Sequence, residues 1–441
     1  MGHEFPKVLV VSHNVFGPNV SMGRTLSAYF DAWPPENLCQ LYFRAEVPTT
    51  RLCEQYFRIT DFDLLHALFR PNKRGTVFTG ENIETHLSES RVDKGAMTAL
   101  YQTGSTHKPW TYFVRNSLWK LGLWKSKRLD QWVRECSPDL IFYASGDYAF
   151  SYEVALFLSK KYSLPLVISA VDDYYFQRPQ QKGPLAWWNT RRFRKVMERV
   201  MLCAKGALYV HPVMERLYRE KFPVRSAVLY KNAQICEEEE PENETLKIAY
   251  FGKLGLRRDD SLVEIGRTIR KLIPDGSVLL DVYSSEIRPE ILSRMTEENG
   301  IRFHGQVSAD DVIRIQAESN ILVFAESTAP ELQERLRCSL STKIPEYLGS
   351  NRCMLAYGSA EAGSISYLQE NHAACVAVRA EQLEECLHEI LFSADARRKY
   401  AEGQMELALK NHTKERNHKV LKEMMQIATS GNRPNVSGTV Q

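Results

Sequence analysis

The sequence has no apolar run approaching the roughly 18 to 20 residues that cross a bilayer. Its opening, MGHEFPKVLVVS, shows no signal-peptide pattern. Both absences predict a cytoplasmic protein. Its nine cysteines, at positions 39, 53, 136, 203, 236, 338, 353, 375 and 386, form no C-x-x-C pair and no zinc-type spacing with histidine. This excludes a small disulfide-stapled scaffold and predicts free, mostly buried thiols. Net charge is slight as well. The 57 Lys and Arg against 54 Asp and Glu leave +3, which gives no footprint for a nucleic-acid partner.

What is present is a strand–helix rhythm over 441 residues, long enough for two domains with substantial cores. Residues Lys7 to Ser12 read as a buried parallel strand followed by a loop and a helix. That loop lies at the carboxyl edge of the sheet, where open α/β folds bind ligands, which makes Asn19, Ser21, Gly23 and Arg24 candidates. Runs at 138–145, 165–170, 206–210 and 227–232 repeat the strand pattern. They place Asp147 and the pair Asp172 and Asp173 on the same edge, as helix caps or as groups orienting an acceptor hydroxyl. With no third ligand spaced nearby, metal binding is not expected. Residues 40–108 show little periodicity apart from a helix around 62–69.

Two stretches, 110–135 and 185–204, carry aromatic and aliphatic residues at helical spacing among Lys and Arg. Such helices either lie in a membrane interface or face a core with a solvated basic side. The acidic run 236–245 reads as a linker between residues 1–235 and 246–412. Residues 413–430 read as helix and 431–441 as a disordered tail.

Past the acidic run the rhythm restarts. A strand at 246–251 leads into Gly252, Lys253, Arg257 and Arg258, a natural diphosphate clamp in which glycine admits the ligand and the cations neutralise it. After strands at 278–283, 301–305 and 320–325 comes CSLSTKIPEYLGSNRCMLAYG, 338–358. There Ser341, Thr342 and Lys343 stand where a helix begins, a place that favours phosphate. Glu346 follows within a turn, in reach of a ribose diol. His304 ends a strand, as a packed histidine or a ligand.

The segment Thr342 to Leu348, with Gly252, Lys253 and Arg258, resembles the retaining glycosyltransferases of family 4. The resemblance implies the GT-B fold: α/β, with two Rossmann-like domains whose parallel sheets face across a cleft. It implies transfer of a sugar from a nucleoside-diphosphate sugar to a glycan or lipid-linked hydroxyl acceptor. The expected setting is surface polysaccharide or glycolipid assembly, with peripheral contact at the inner face of the membrane. In this resemblance Lys253 and Arg258 meet the diphosphate and Glu346 the ribose. His304 lies where the base is met, no metal or cofactor is needed, and the terminal helix at 413–430 crosses back onto the first domain. One position departs: Cys338 stands where the family's first Glu of a Glu-x7-Glu element belongs. Two alternatives stay open: a nucleotide-sugar epimerase on the same fold, which would bind the diphosphate too, and a non-catalytic sugar-nucleotide-binding scaffold, which this departure supports.

Overall fold

A computed structural model describes residues 5–17, 21–67, 74–79, 109–177 and 182–430. The expected candidate Asn19 and the expected disordered tail 431–441 lie outside the described residues. The chain divides into two compact units, Met1–Leu229 with His418–Gln441, and Tyr230–Asn417.

Unit 1 is built on eight strands: β1 (Val8–Ser12), β2 (Leu38–Tyr42), β3 (Gln55–Arg58), β4 (Thr76–Thr79), β5 (Leu140–Ala144), β6 (Leu166–Ala170), β7 (Gly206–Tyr209) and β8 (Ser226–Val228). They run in the order β4-β3-β2-β1-β5-β6-β7-β8, parallel except for the antiparallel pair β3 and β4. Chain order reverses between β1 and β5, so the loops leaving these two strands flank the crevice where doubly wound sheets hold ligands.

Strands β2 to β4 were not legible from sequence. Gln40 interrupts the apolar run of β2, yet it is fully buried, accepting from the Phe16 amide at 3.0 Å and donating to Ser12 Oγ at 2.8 Å. The expected long helix over 110–135 is two helices, Pro109–Lys120 and Lys127–Cys136, separated at Gly122, which has φ +71°. The expected strand at 227–232 shortens to β8. The helix Lys414–Ser430 delivers Leu421, Met424, Met425 and Ala428 to the unit 1 core beside Val167 and Leu208. Packing there is close, since a Cβ on Gly206 would stand 2.5 Å from Met424 Sδ.

Unit 2 holds six parallel strands: β9 (Ile248–Phe251), β10 (Leu280–Tyr283), β11 (Ile301–Gly305), β12 (Ile321–Ala325), β13 (Cys353–Tyr357) and β14 (Cys375–Ala377). Their order is β11-β10-β9-β12-β13-β14, which puts the reversal between β9 and β12. Ile248, Leu262, Val282, Ile321, Leu355 and Leu387 anchor the core.

The acidic run 236–245, expected as a linker, belongs to unit 2. Buried Arg352 donates to the Glu238 carbonyl at 2.8 Å, and Arg397 Nε reaches Glu240 Oε1 at 2.6 Å. These cations fix the acidic chain, so the boundary falls at Leu229 and Tyr230 instead.

Candidate functional site

The reversal point of unit 2 gathers several of the residues singled out in the sequence. Strand β9 ends at Gly252, whose φ is +155° and whose amide donates to the Tyr283 carbonyl at 3.1 Å. A Cβ there would meet Tyr250 Oη at 3.0 Å and Lys343 Cε at 3.2 Å, so the missing side chain makes room for the Lys343 stem. Lys253 follows, exposed, with its carbonyl accepting from Tyr250 Oη at 3.0 Å.

Arg258 opens the helix Arg258–Leu272 and directs one guanidinium nitrogen at both carboxylate oxygens of Glu326, at 2.9 and 3.0 Å. Glu326 is the first residue after β12 and is only 3% exposed. The carboxylate therefore holds Arg258 at the reversal point, where sequence reading had placed a cation but no partner for it.

Across from them the short helix Lys343–Leu348 presents Lys343 and Glu346. Lys231 Nζ donates to Glu346 Oε1 at 2.6 Å and to the Thr342 carbonyl at 3.2 Å. The Lys343 amine has its pKa lowered, first by burial and then by the charges of Lys231 and Arg258, with Glu346 opposing. A mostly buried cation facing two others is an arrangement that an incoming anion relieves.

One expectation changes here. Phosphate was expected on the backbone amides at Ser341 to Lys343, but the Ser341 amide donates to Ser364 Oγ at 3.0 Å and the Lys343 amide to Ser341 Oγ at 3.3 Å. Both serve the turn, Thr342 makes no side-chain cap, and the helix has only six residues. The side chain of Lys343, rather than its amide, is the group aimed at the reversal point. His304 is exposed in β11: its ring stacks on Tyr283 at 4.6 Å, Tyr283 stacks on Phe251 at 5.0 Å, and Nε2 lies 2.7 Å from Asp281 Oδ1. Cys338 is buried.

Unit 1 presents a second polar edge at its own reversal point. His13, just past β1, stacks on Tyr148 at 5.3 Å, and Tyr148 stacks on Tyr112 at 5.0 Å. Tyr112 donates its hydroxyl to Asp147, and the Arg115 guanidinium lies 4.2 Å over the Tyr148 ring while pairing with Asp61 at 2.9 Å. Burial and then Arg115 push the His13 pKa down to about 3, against the pull of Asp147. The imidazole is thus neutral at ordinary pH, and its buried Nδ1 makes no hydrogen bond within the described residues.

Asp147 thus sits in the crevice, whereas Asp173 is a buried turn residue. It accepts from the Tyr175 and Phe176 amides at 3.2 and 2.9 Å and from Tyr218 Oη at 2.9 Å. Asp172 stays at the surface, where Tyr174 Oη donates to it at 3.3 Å. Ser21 begins the helix Ser21–Phe30. Gly23 is required for close packing, because a Cβ there would fall 2.4 Å from the Val15 carbonyl. Arg24 is exposed.

The sequence reading missed Lys231, Glu326, His13, Tyr112 and Arg115. Glu326 carried a signal, a carboxylate directly after an all-apolar strand. Lys231 carried none. Among the described residues no group of three or more His, Cys, Asp or Glu side chains is placed to hold a metal ion.

No protein-family model matches the chain, and no curated protein matches it in sequence. Solved structures do match in fold. HepE (Alr3699) of Anabaena, in complex with UDP, has a TM-score of 0.62 at 12% identity, over 95% of this chain and 99% of that one. The trehalose 6-phosphate synthase of Burkholderia multivorans gives 0.60 at 11% identity, over 97% and 100%. The Escherichia coli trehalose-6-phosphate structure bound with UDP-2-fluoro glucose gives 0.58 at 11%, over 95% and 99%. These neighbours are GT-B glycosyltransferases, and the two-sheet α/β architecture of this chain is theirs.

Proposed function

We propose that this protein is a retaining glycosyltransferase of the family 4 type, moving a hexosyl group from a nucleoside-diphosphate sugar to a hydroxyl acceptor. The observation that carries the reading is the half-buried Lys343 side chain packed against Gly252 at the reversal point of the unit 2 sheet, where Arg258 and Lys231 act on its charge. The fold shared with UDP-bound HepE supports a diphosphate as the anion. Arg258, held by Glu326, and Lys343 take the diphosphate, and exposed Lys253 closes over it. As the glycosidic bond breaks, these cations stabilise the charge that develops on the leaving group. Glu346, released from Lys231, accepts from the ribose hydroxyls.

No metal or cofactor is required in this scheme, since side-chain cations supply the neutralisation. On the acceptor side Asp147 and neutral His13 offer an acceptor and a ring nitrogen to a sugar hydroxyl. The acceptor is a glycan or a lipid-linked sugar, and the setting is surface polysaccharide or glycolipid assembly at the cytoplasmic face of a membrane. Buried Cys338, in place of a carboxylate, favours a second reading, a scaffold that binds sugar nucleotides without turning them over.

A panel of nucleoside diphosphates and sugar nucleotides in thermal unfolding tests the binding. Ligand at about a hundred times its dissociation constant stabilises by roughly 2.7 kcal/mol. A shift with one nucleotide, absent in Lys343→Met and Arg258→Ala, fixes the donor; no shift with any nucleotide sinks the proposal. Proton NMR of the product then reads the anomer. Binding without transfer to any acceptor gives the scaffold reading.

A further inference from the structure

The segments around the reversal point of unit 2 include one cation without a role so far, Arg337. Arg258 is bonded to Glu326 just past β12, and Gly358 just past β13 lies against that carboxylate's stem, since a Cβ on it would stand 2.9 Å from Glu326 Cβ. The chain leaving Gly358 starts the helix Gly363–Glu370. A Cβ on Gly363 would fall 2.6 Å from the Arg337 carbonyl oxygen and 2.8 Å from that of Ser339. Ser364 Oγ donates to the Ser339 carbonyl at 3.2 Å and accepts from the Ser341 amide at 3.0 Å, and Lys343 follows two residues on. Arg337 thus belongs to the same carboxyl edge as Arg258 and Lys343. Its side chain is half-buried, Nε is shut off from solvent, and no hydrogen bond or ion pair satisfies the guanidinium among the described residues.

The other cations of this edge are accounted for. Arg258 is neutralised by Glu326 at 2.9 Å, Arg257 by Asp260 and Glu331 at 2.7 Å each, and Lys231 by Glu346 at 2.6 Å. Lys253 and Lys343 make no ion pair among the described residues, and together they match the single negative charge on each phosphate of a sugar-nucleotide diphosphate. That leaves Arg337. Cys338 beside it supplies a buried thiol and no carboxylate. Glu361, on the loop after β13, is exposed and forms no ion pair, so water screens it and it does not neutralise a half-buried guanidinium. A cation held partly out of water without an anion is costly, and a guanidinium meets a carboxylate through two parallel hydrogen bonds.

We infer that the donor sugar is a hexuronate whose carboxylate is taken by Arg337, which makes this residue the determinant of sugar choice. The inference rests on the transferase reading and narrows its hexosyl group to a hexuronosyl one. The charge count decides the class. A neutral hexose would leave Arg337 unpaired in the complex, whereas one further negative charge beyond the diphosphate completes it. Pairing of Arg337 with the diphosphate itself is the competing assignment, and the experiment separates the two.

The test is calorimetry of the full chain with UDP, UDP-glucose and UDP-glucuronate, and likewise with GDP, GDP-mannose and GDP-mannuronate. For the base that binds, the hexuronate is expected to bind about tenfold or more tighter than the hexose, the worth of one charge-assisted pair. In Arg337→Met that ratio should fall to about one. In Arg337→Lys, which keeps the charge and loses the fork, it should take an intermediate value. A thermal midpoint no lower than that of the wild type certifies the fold of each variant, and the wild-type ratio is decisive by itself. Hexose and hexuronate share base and diphosphate, so damage to the structure alone would weaken both and leave the ratio where it was. Equal affinity for the two in the wild type overturns the inference and leaves the transferase reading standing. It is also overturned if Arg337→Met weakens the bare nucleoside diphosphate as much as the hexuronate, which assigns Arg337 to phosphate. No binding by any of these ligands sinks the transferase reading and this inference with it.

Discussion

Arg258 and Glu326 meet through one guanidinium nitrogen and both carboxylate oxygens, at 2.9 and 3.0 Å, with the carboxylate buried after β12 and the arginine at the head of the helix that follows β9. The pair joins the two loops at the reversal point of the sheet. Removing one partner from such a pair costs about 3 to 5 kcal/mol, because the other stays charged and unpaired. Glu326→Gln is therefore expected to destabilise the unliganded protein by that order in urea unfolding. A saturating nucleoside diphosphate should recover part of the loss, since its phosphates replace the carboxylate. Equal midpoints for variant and wild type without ligand would refute this.

Lys343→Met should do the reverse. It removes a buried charge that Lys231 and Arg258 oppose, so the unliganded protein is expected to gain about 1 kcal/mol while nucleotide binding disappears. The pH dependence has a defined sign. With its folded pKa below the unfolded value of about 10.4, Lys343 sheds its proton first in the folded state, and its penalty lifts as pH rises toward that value. Unfolding midpoints of wild type and variant should converge as pH rises from neutrality to about 10, and a constant gap argues against the buried charge.

Lys231→Ala frees Glu346 from its 2.6 Å partner and leaves Arg258 and Lys343, the proposed diphosphate ligands, in place. Calorimetry should show altered affinity for a nucleoside diphosphate, by about tenfold, with inorganic pyrophosphate affected less. An identical change for both ligands would mean that Lys231 contacts phosphate directly and that Glu346 has no ribose role.

His412 supplies an acid-side test in unit 2. Its Nδ1 lies 2.9 Å from the Lys231 carbonyl and its Nε2 2.9 Å from Tyr367 Oη. A carbonyl only accepts, so Nδ1 carries the proton and Nε2 receives the phenol. Burial lowers the pKa from 6.5 to about 4. The unfolded chain therefore takes up the proton first, and stability falls as pH drops from about 6.5 to about 4, by up to about 3 kcal/mol. Wild type minus His412→Gln in pH-resolved unfolding isolates this slope. No difference between them in that window would exclude the buried neutral imidazole.

The parallel strands other than β2 and β3 were legible because buried strands in such sheets are continuous apolar runs, as in VLVVS and CMLAY. Strand β2 was not, since buried Gln40 breaks the run and the distant partners Ser12, Asn14 and Phe16 satisfy it. Gly252 and Arg258 announced themselves by following a strand. At Ser341 the sequence marks a helix start, but its amide is already bonded to Ser364, 23 residues further along the chain. Lys231 and Glu346 illustrate the same limit, a contact across 115 residues with no local trace.

The C-terminal helix has a consequence for the order in which the protein is made. Unit 2 is one continuous stretch, Tyr230–Asn417, whereas unit 1 waits for residues from His418 onward to complete a core that includes Leu421, Met424 and Met425. During synthesis the second unit to be translated is thus the first able to close. The earlier one stays exposed at Val167, Leu208 and the groove over Gly206 until the residues beyond His418 have emerged from the ribosome. A nascent chain stalled shortly before His418 would carry a finished unit 2 and an open unit 1, and a chaperone that reads exposed apolar surface would find its binding site there.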